Sequence, residues 1–207
     1  MPELSRRRAL RAAATAGAVA LAGCSGGPGS STPVPRDRGE PVPPADMEVL
    51  FVRDTDGEPL FAVGDDDDGA TPAGDDIEGR PTRGEYLRDT GSRDRVTFRS
   101  TPAAGELRAF VDGTDFESGS VYLLERPVSA CYETRLVGVY RGDDGFEAAL
   151  CQSFRPADIV CSAGGVDTVG VGVRLPFPGD GLEGHRWSWR GGCGSLRTVA
   201  SEGDEAR

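Results

Sequence analysis

From Met47 onward, short apolar runs alternate with clusters of turn-forming residues, a pattern that reads as a succession of short strands. No window of a dozen residues reads as an amphipathic helix. Residues 49–53 and 59–63 are expected to form a hairpin around Asp56-Gly57, because both turn positions tolerate positive φ. Further strands are expected at 95–100, 106–112, 120–125, 132–140, 146–154, 166–175 and 185–189. Residues 64–92, acidic and Gly-rich, read as a long surface loop with one helical turn near Tyr86. The expected fold is an all-β, single antiparallel β-sandwich or barrel-like domain over residues 47–200. Residues 201–207 read as a disordered polar tail.

Cys131, Cys151, Cys161 and Cys193 all fall in the last third of the chain, and an even number in an exported chain points to two disulfides. A hairpin turning on Asp143-Asp144 sets Val139 opposite Ala148 and Val137 opposite Leu150. Side chains alternate between faces, so Cys131 then shares the apolar face while Cys151 points away, opposite Leu136. These two should not bond. Two pairings remain: Cys151–Cys161 with Cys131–Cys193, or Cys131–Cys161 with Cys151–Cys193. The short Pro-containing bend between Cys151 and Cys161 favours the first.

Before the strands lies a different kind of sequence. Residues 1–23 open with Ser5-Arg6-Arg7-Arg8 and Arg11, continue with a small-residue apolar stretch over 12–20, and end in Leu21-Ala22-Gly23. That stretch is too short to span a bilayer, which takes about 20 apolar residues, and reads as a signal peptide. Ser5-Arg6-Arg7-Arg8-Ala9-Leu10 resembles the twin-arginine export consensus, with Arg6 and Arg7 as the arginine pair. Leu21-Ala22-Gly23-Cys24 resembles a lipobox, in which a peptidase cuts before a cysteine whose sulfur carries a lipid. A two-chain lipid on Cys24 would hold the protein stably on the extracellular face of the cell membrane. Residues 24–46 are rich in Gly, Ser and Pro, read as a disordered linker, and have a typical flexible reach of about 25 Å.

The chain has no lysine; all 23 basic residues are arginine, against 34 acidic ones, for a net charge of −11. Loss of residues 1–23 removes four arginines and one glutamate, which takes the charge to −14. Such acidity serves solubility, as in salt-loving archaea, and argues against nucleic acid as a partner.

His185 is the only histidine, which excludes blue-copper and His-rich zinc sites, and no cofactor motif is present. A Ser-His-Asp triad lacks its G-x-S-x-G setting, and Ser162 and Ser195 sit in Gly-rich turns. Asp65 to Asp68, with Asp75, Asp76 and Glu78, reads as a solvated carboxylate run without the spacing of a calcium loop. His185, Trp187 and Trp189 alternate with Arg186, Ser188 and Arg190, so one strand face carries three rings. Those rings either fill the core or form a binding face for a sugar or an apolar side chain.

Asp115-Phe116, a strand, Cys131-Tyr132, a hairpin, Cys151 and a final strand resemble small cysteine-containing lipoproteins of haloarchaea. The resemblance covers under half the chain, implies an extracytoplasmic β-sandwich-like domain, and brings no catalytic residues. The Asp-Phe strand and following hairpin also resemble the C-terminal domain of protease-complex-stabilising proteins, which are binding modules, although Cys131-Tyr132 replaces that family's Gly-rich signature. The expected function is a membrane-anchored binding or interaction module with an unidentified protein or carbohydrate partner. The alternatives are a carboxylate-based, glycosidase-like hydrolase and a purely structural envelope protein.

Overall fold

The computed structural model describes residues 38–64, 81–182 and 184–202. The export signal, Cys24, the linker up to residue 37, the acidic run from Asp65 to Glu78 and the tail from residue 203 lie outside the described residues. In chain order the elements are β1 (Glu40–Pro41), a 3-10 turn (Pro44–Asp46), β2 (Glu48–Asp54), β3 (Phe61–Val63) and β4 (Arg83–Leu87). Then come α1 (Thr90–Asp94), β5 (Val96–Phe98), α2 (Pro102–Asp112), β6 (Ser120–Ser129) and β7 (Tyr132–Arg141). β8 (Gly145–Phe154), β9 (Val166–Leu175), β10 (Gly184–Gly192) and β11 (Ala200–Ser201) complete the order.

Sheet I has the order β1-β7-β8-β10, with β11 also pairing β7; sheet II has the order β2-β9-β6-β4. The chain crosses from sheet II to sheet I in the two residues between β6 and β7. Leu136, Val139, Ala148 and Leu150 of sheet I meet Tyr122, Leu124, Val169, Val171 and Val173 of sheet II in one core. The result is a mostly β sandwich of open sheets, not a barrel. It departs from a purely antiparallel plan, because β10 runs parallel to β8.

The β7–β8 hairpin turns on Asp143-Asp144, with Val139 opposite Ala148 as its turn requires. Beyond Gly138 a bulge at Val137 shifts the register, so Leu136 faces Leu150 and Arg135 faces Cys151. The bulge returns Leu136 to the core alongside Val139.

Several expected elements differ. The chain does turn at Asp56-Gly57, where the Asp54 carboxylate accepts from the N–H groups of Asp56 and Glu58. The flanking strands nevertheless do not pair: β2 joins β9, and β3 joins β5 in a separate two-stranded sheet. The buried Glu125 carboxylate accepts from the backbone N–H of Leu60 and Phe61, which draws that segment onto the outer face of sheet II. Tyr86 lies in β4 rather than in a helical turn; the turn is α1, with a reciprocal Asp89–Ser92 cap.

Residues 106–112, expected as a strand, belong to helix α2. Thr101 caps its start, Pro102 sits in the first turn, and Ala103, Ala104, Leu107, Phe110 and Val111 are its buried stripe. The stripe packs on the outer face of sheet II, building a second core with Val52, Leu60, Phe61, Leu87, Val121 and Leu123. Each large side chain so buried contributes roughly 1.5–3 kcal/mol. Two glycines of β9 make this approach possible. A Cβ at Gly170 would lie 2.4 Å from Leu60, and one at Gly172 would lie 2.9 Å from Phe110.

The domain also extends past its expected ends. Val42 and Met47 are buried, and Val42 N–H donates to the Val139 carbonyl, so residues 40–46 are part of the fold rather than of the linker. At the other end, Ser201 pairs with Arg135, and Glu202 is tied into the interior as described below.

All four C-terminal cysteines form disulfides, as Cys131–Cys161 and Cys151–Cys193. Cys131 and Cys151 do not bond, but the bulge at Val137 sets Arg135 rather than Leu136 opposite Cys151 and so overturns the face assignment from which that was expected. The favoured local bridge Cys151–Cys161 does not form. The parallel pairing of β10 brings Gly192 opposite Gln152, and Cys193 N–H donates to the Gln152 carbonyl, which sets Cys193 beside Cys151. Cys161 is left to close its loop back onto Cys131.

Candidate functional site

The edge strand β10 carries the residues singled out from the sequence. Its register sets His185 beside Phe146, Trp187 beside Ala148 and Trp189 beside Leu150, all core positions, so the three rings face inward. His185 packs among Tyr86, Tyr122 and Phe146, with ring centroids 5.9, 5.5 and 6.2 Å away. Burial lowers its pKa, opposed by a hydrogen bond with the backbone of Gly84. Trp187 and Trp189 are half-buried against the core, and the Arg126 guanidinium lies 3.7 Å over the Trp189 ring. The two indole rings therefore pack against the core, while His185, on the same face near the start of β10, remains exposed on its outer side.

The other face of β10 carries charge. Buried Glu147 accepts from the Ser188 hydroxyl at 2.6 Å, from Arg186 Nε at 3.0 Å and from Arg190 Nη2 at 3.0 Å. Arg38 Nε lies 3.8 Å away. Burial alone would raise the carboxyl's pKa, but the Ser188 and Arg186 hydrogen bonds and the Arg186 and Arg190 charges carry it below its ordinary 4.5. This cluster fastens an edge strand that has no hairpin of its own.

A depressed carboxyl pKa contributes stability that is present above the unfolded value and is lost as pH falls through the folded one. Glu147→Gln is accordingly expected to flatten the loss of thermal stability between about pH 5 and pH 3. An acid limb as steep as that of the unaltered protein would show that the cluster is energetically silent.

The remaining buried carboxylates are similarly occupied. Glu125 accepts from Arg83 as well as from two backbone N–H groups, and Glu133 accepts from Arg135 and Ser153. Arg53, inside the sandwich, donates to Asp167 at 2.5 Å, to Glu202 at 2.8 Å and to the Tyr132 carbonyl at 2.6 Å. Glu202 also accepts from Thr134 N–H. Burial, the largest influence, raises the Glu202 pKa despite the Arg53 charge. Each of these carboxylates ties separate segments of the chain together. A surface cavity of about 460 Å3 beside the start of β2 and the end of β9 includes Asp46, Glu48, Asp115 and Arg174. There Glu48 is paired with Arg174, and Asp115 accepts from Ser118 and from Glu117 N–H.

One feature had not been singled out from the sequence. Phe154 at the end of β8 and Ile159 and Val160 in the following loop are 70%, 40% and 96% exposed. The loop is nonetheless firmly held. Cys161 is bonded to Cys131, Arg155 N–H donates to the Cys131 carbonyl, and the Phe154 ring stacks on Tyr132 with centroids 4.4 Å apart. The legible signal was an adjacent Ile-Val pair beside a cysteine in an otherwise polar bend. The chain matches no family model, and no curated protein or solved structure is significantly similar to it.

Proposed function

We propose that this chain is an extracytoplasmic binding module, exported by the twin-arginine route and held on the outer face of the cell membrane by a lipid on Cys24. The observation that carries the binding reading is the apolar loop tip around Val160, exposed to water yet fixed in shape by a disulfide, on a domain whose described buried carboxylates serve as strand fasteners. Two disulfides fit an oxidising compartment. Because Cys131, Cys151, Cys161 and Cys193 pair among themselves, they make no claim on Cys24. The Arg6-Arg7 pair and Leu21-Ala22-Gly23-Cys24 supply the route and the anchor.

Cys24→Ser is expected to move the protein from the membrane fraction to the medium, and replacing Arg6 and Arg7 with lysine is expected to retain it inside the cell. Fractionation of cells expressing each form makes the test. A Cys24→Ser form that stays with the membrane would overturn the lipid anchor.

A further inference from the structure

β10 is the outermost strand of sheet I: β8 lies along one side of it, and among the described residues no strand pairs with the other. Backbone groups alternate in direction along a strand. Gly184 N–H donates to the Asp144 carbonyl, on the β8 side, so the N–H and C=O groups of His185, Trp187 and Trp189 point to the open edge. They form one continuous row, of the kind to which an extended segment of another chain adds as a further strand.

The charge along this edge selects what such a segment carries. Arg186, Ser188 and Arg190 lie on the outward face beside Glu147. With Arg38, three guanidinium groups gather around that single carboxylate, and three positive charges against one negative leave the patch at +2 in a chain of net charge −11. The Arg186 and Arg38 side chains are about half exposed, so each can take a second acceptor while Glu147 holds it in position. Groups already ordered lose little freedom on binding. At the Gly184 end the Asp143-Asp144 turn adjoins the strand and repels carboxylates, which confines them to the stretch beside Arg186 and Arg190. On the inner side the half-buried Trp187 and Trp189 offer apolar neighbours instead.

A second copy of β10 fits this edge poorly. Arg186-Trp187-Ser188-Trp189-Arg190 reads the same in both directions, so an antiparallel pair centred on Ser188 would set each Arg186 opposite the other copy's Arg190. Like charges directly opposite one another are destabilising. An acidic strand meets the same positions with opposite charge.

We infer that the open edge of β10 is a docking strand for an extended, carboxylate-bearing segment of another protein, which adds to sheet I with acidic side chains beside Arg186 and Arg190 and apolar ones beside Trp187 and Trp189. This goes beyond the binding-module reading: the surface is separate from the loop tip around Val160 and does not depend on the anchor.

The test uses the full-length protein, purified in detergent, and a short fluorescein-labelled peptide of alternating Glu and Val, followed by fluorescence anisotropy at one fixed salt concentration. The expected result is saturable binding, weakened about tenfold or more when Lys replaces every Glu. N-methylation of alternate backbone nitrogens should weaken binding about tenfold or more on the set that bonds β10, and little on the other set. Arg186→Gln should weaken it about fivefold, with thermal unfolding measured alongside. Should that variant fail to fold, the methylated peptides still decide, since they leave the protein unaltered. Equal losses from the two methylated sets, or equal binding of the Lys and Glu peptides, would overturn strand addition by an acidic segment. No binding of the Glu-Val peptide would overturn the docking role of the edge. A dimer that excludes the peptide and that Arg186→Gln strengthens would overturn the inference in favour of a second copy.

Discussion

Replacing Arg53 with methionine is expected to destabilise the domain by about 3–5 kcal/mol, the effect of removing one member of a buried ion cluster. The Arg53 guanidinium is about nine-tenths buried and is shared between Asp167 of β9 and Glu202 beyond β11, with a third bond to the Tyr132 carbonyl of β7. Methionine fills similar volume but leaves two carboxylates uncompensated in the interior. Glu202 already has a raised pKa from burial. A carboxyl so shifted weakens the fold as pH rises from its unfolded value through its folded one, and without Arg53 the shift must grow. The loss in Arg53→Met should therefore be largest near neutral pH and shrink as the pH is brought down through the raised Glu202 pKa toward its unfolded value of about 4.5. Urea unfolding at a series of pH values measures both. A loss under about 1 kcal/mol at neutral pH would mean that water already screens these carboxylates.

The double replacement of Cys151 and Cys193 with alanine is expected to cost about 4 kcal/mol, from the entropy released when a loop of 42 residues is opened in the unfolded chain. Removal of Cys131–Cys161, which closes 30 residues, should cost slightly less by the same reasoning. A second consequence separates the two. The Cys151–Cys193 bridge fixes the start of the segment that leads from β10 to β11 and Glu202, so its loss also loosens the Arg53 cluster. Combining it with Arg53→Met should give a total below the sum of the two separate losses. Strict additivity of the unfolding free energies would show that the bridge and the cluster act independently.

Much of the architecture was legible because strands announce which face is apolar. Residues 166–175 alternate Val with Gly or polar positions, and β9 has those bounds. The β7–β8 hairpin was legible from Gly142-Asp143-Asp144-Gly145, and its register holds until the bulge at Val137. Helix α2 was hidden by its composition: Ala and Gly dilute the apolar stripe, and Glu106 to Asp112 taken alone resembles a strand. The Thr101-Pro102 start and the positions of Ala103, Ala104, Leu107, Phe110 and Val111 were the available signal. For the candidate sites, the alternation on β10 identified which residues share a face, but whether the rings meet core or solvent depended on where that strand is placed. The exposed tip was missed because an Ile-Val pair in a bend looks like any buried loop residue until its surroundings are known.

The sequence by itself determined that the chain is mostly β and where most of its strands lie. These are local properties, carried by period-two alternation, turn residues and short motifs. Only the tertiary structure decided which strand lies beside which, that β10 runs parallel to β8, and hence that Cys193 reaches Cys151. It also decided that Glu202, in what reads as a polar tail, meets Arg53 from 149 positions away. A period of two fixes the face a side chain occupies but carries no information about the neighbouring strand; that choice is made by packing among all the strands at once.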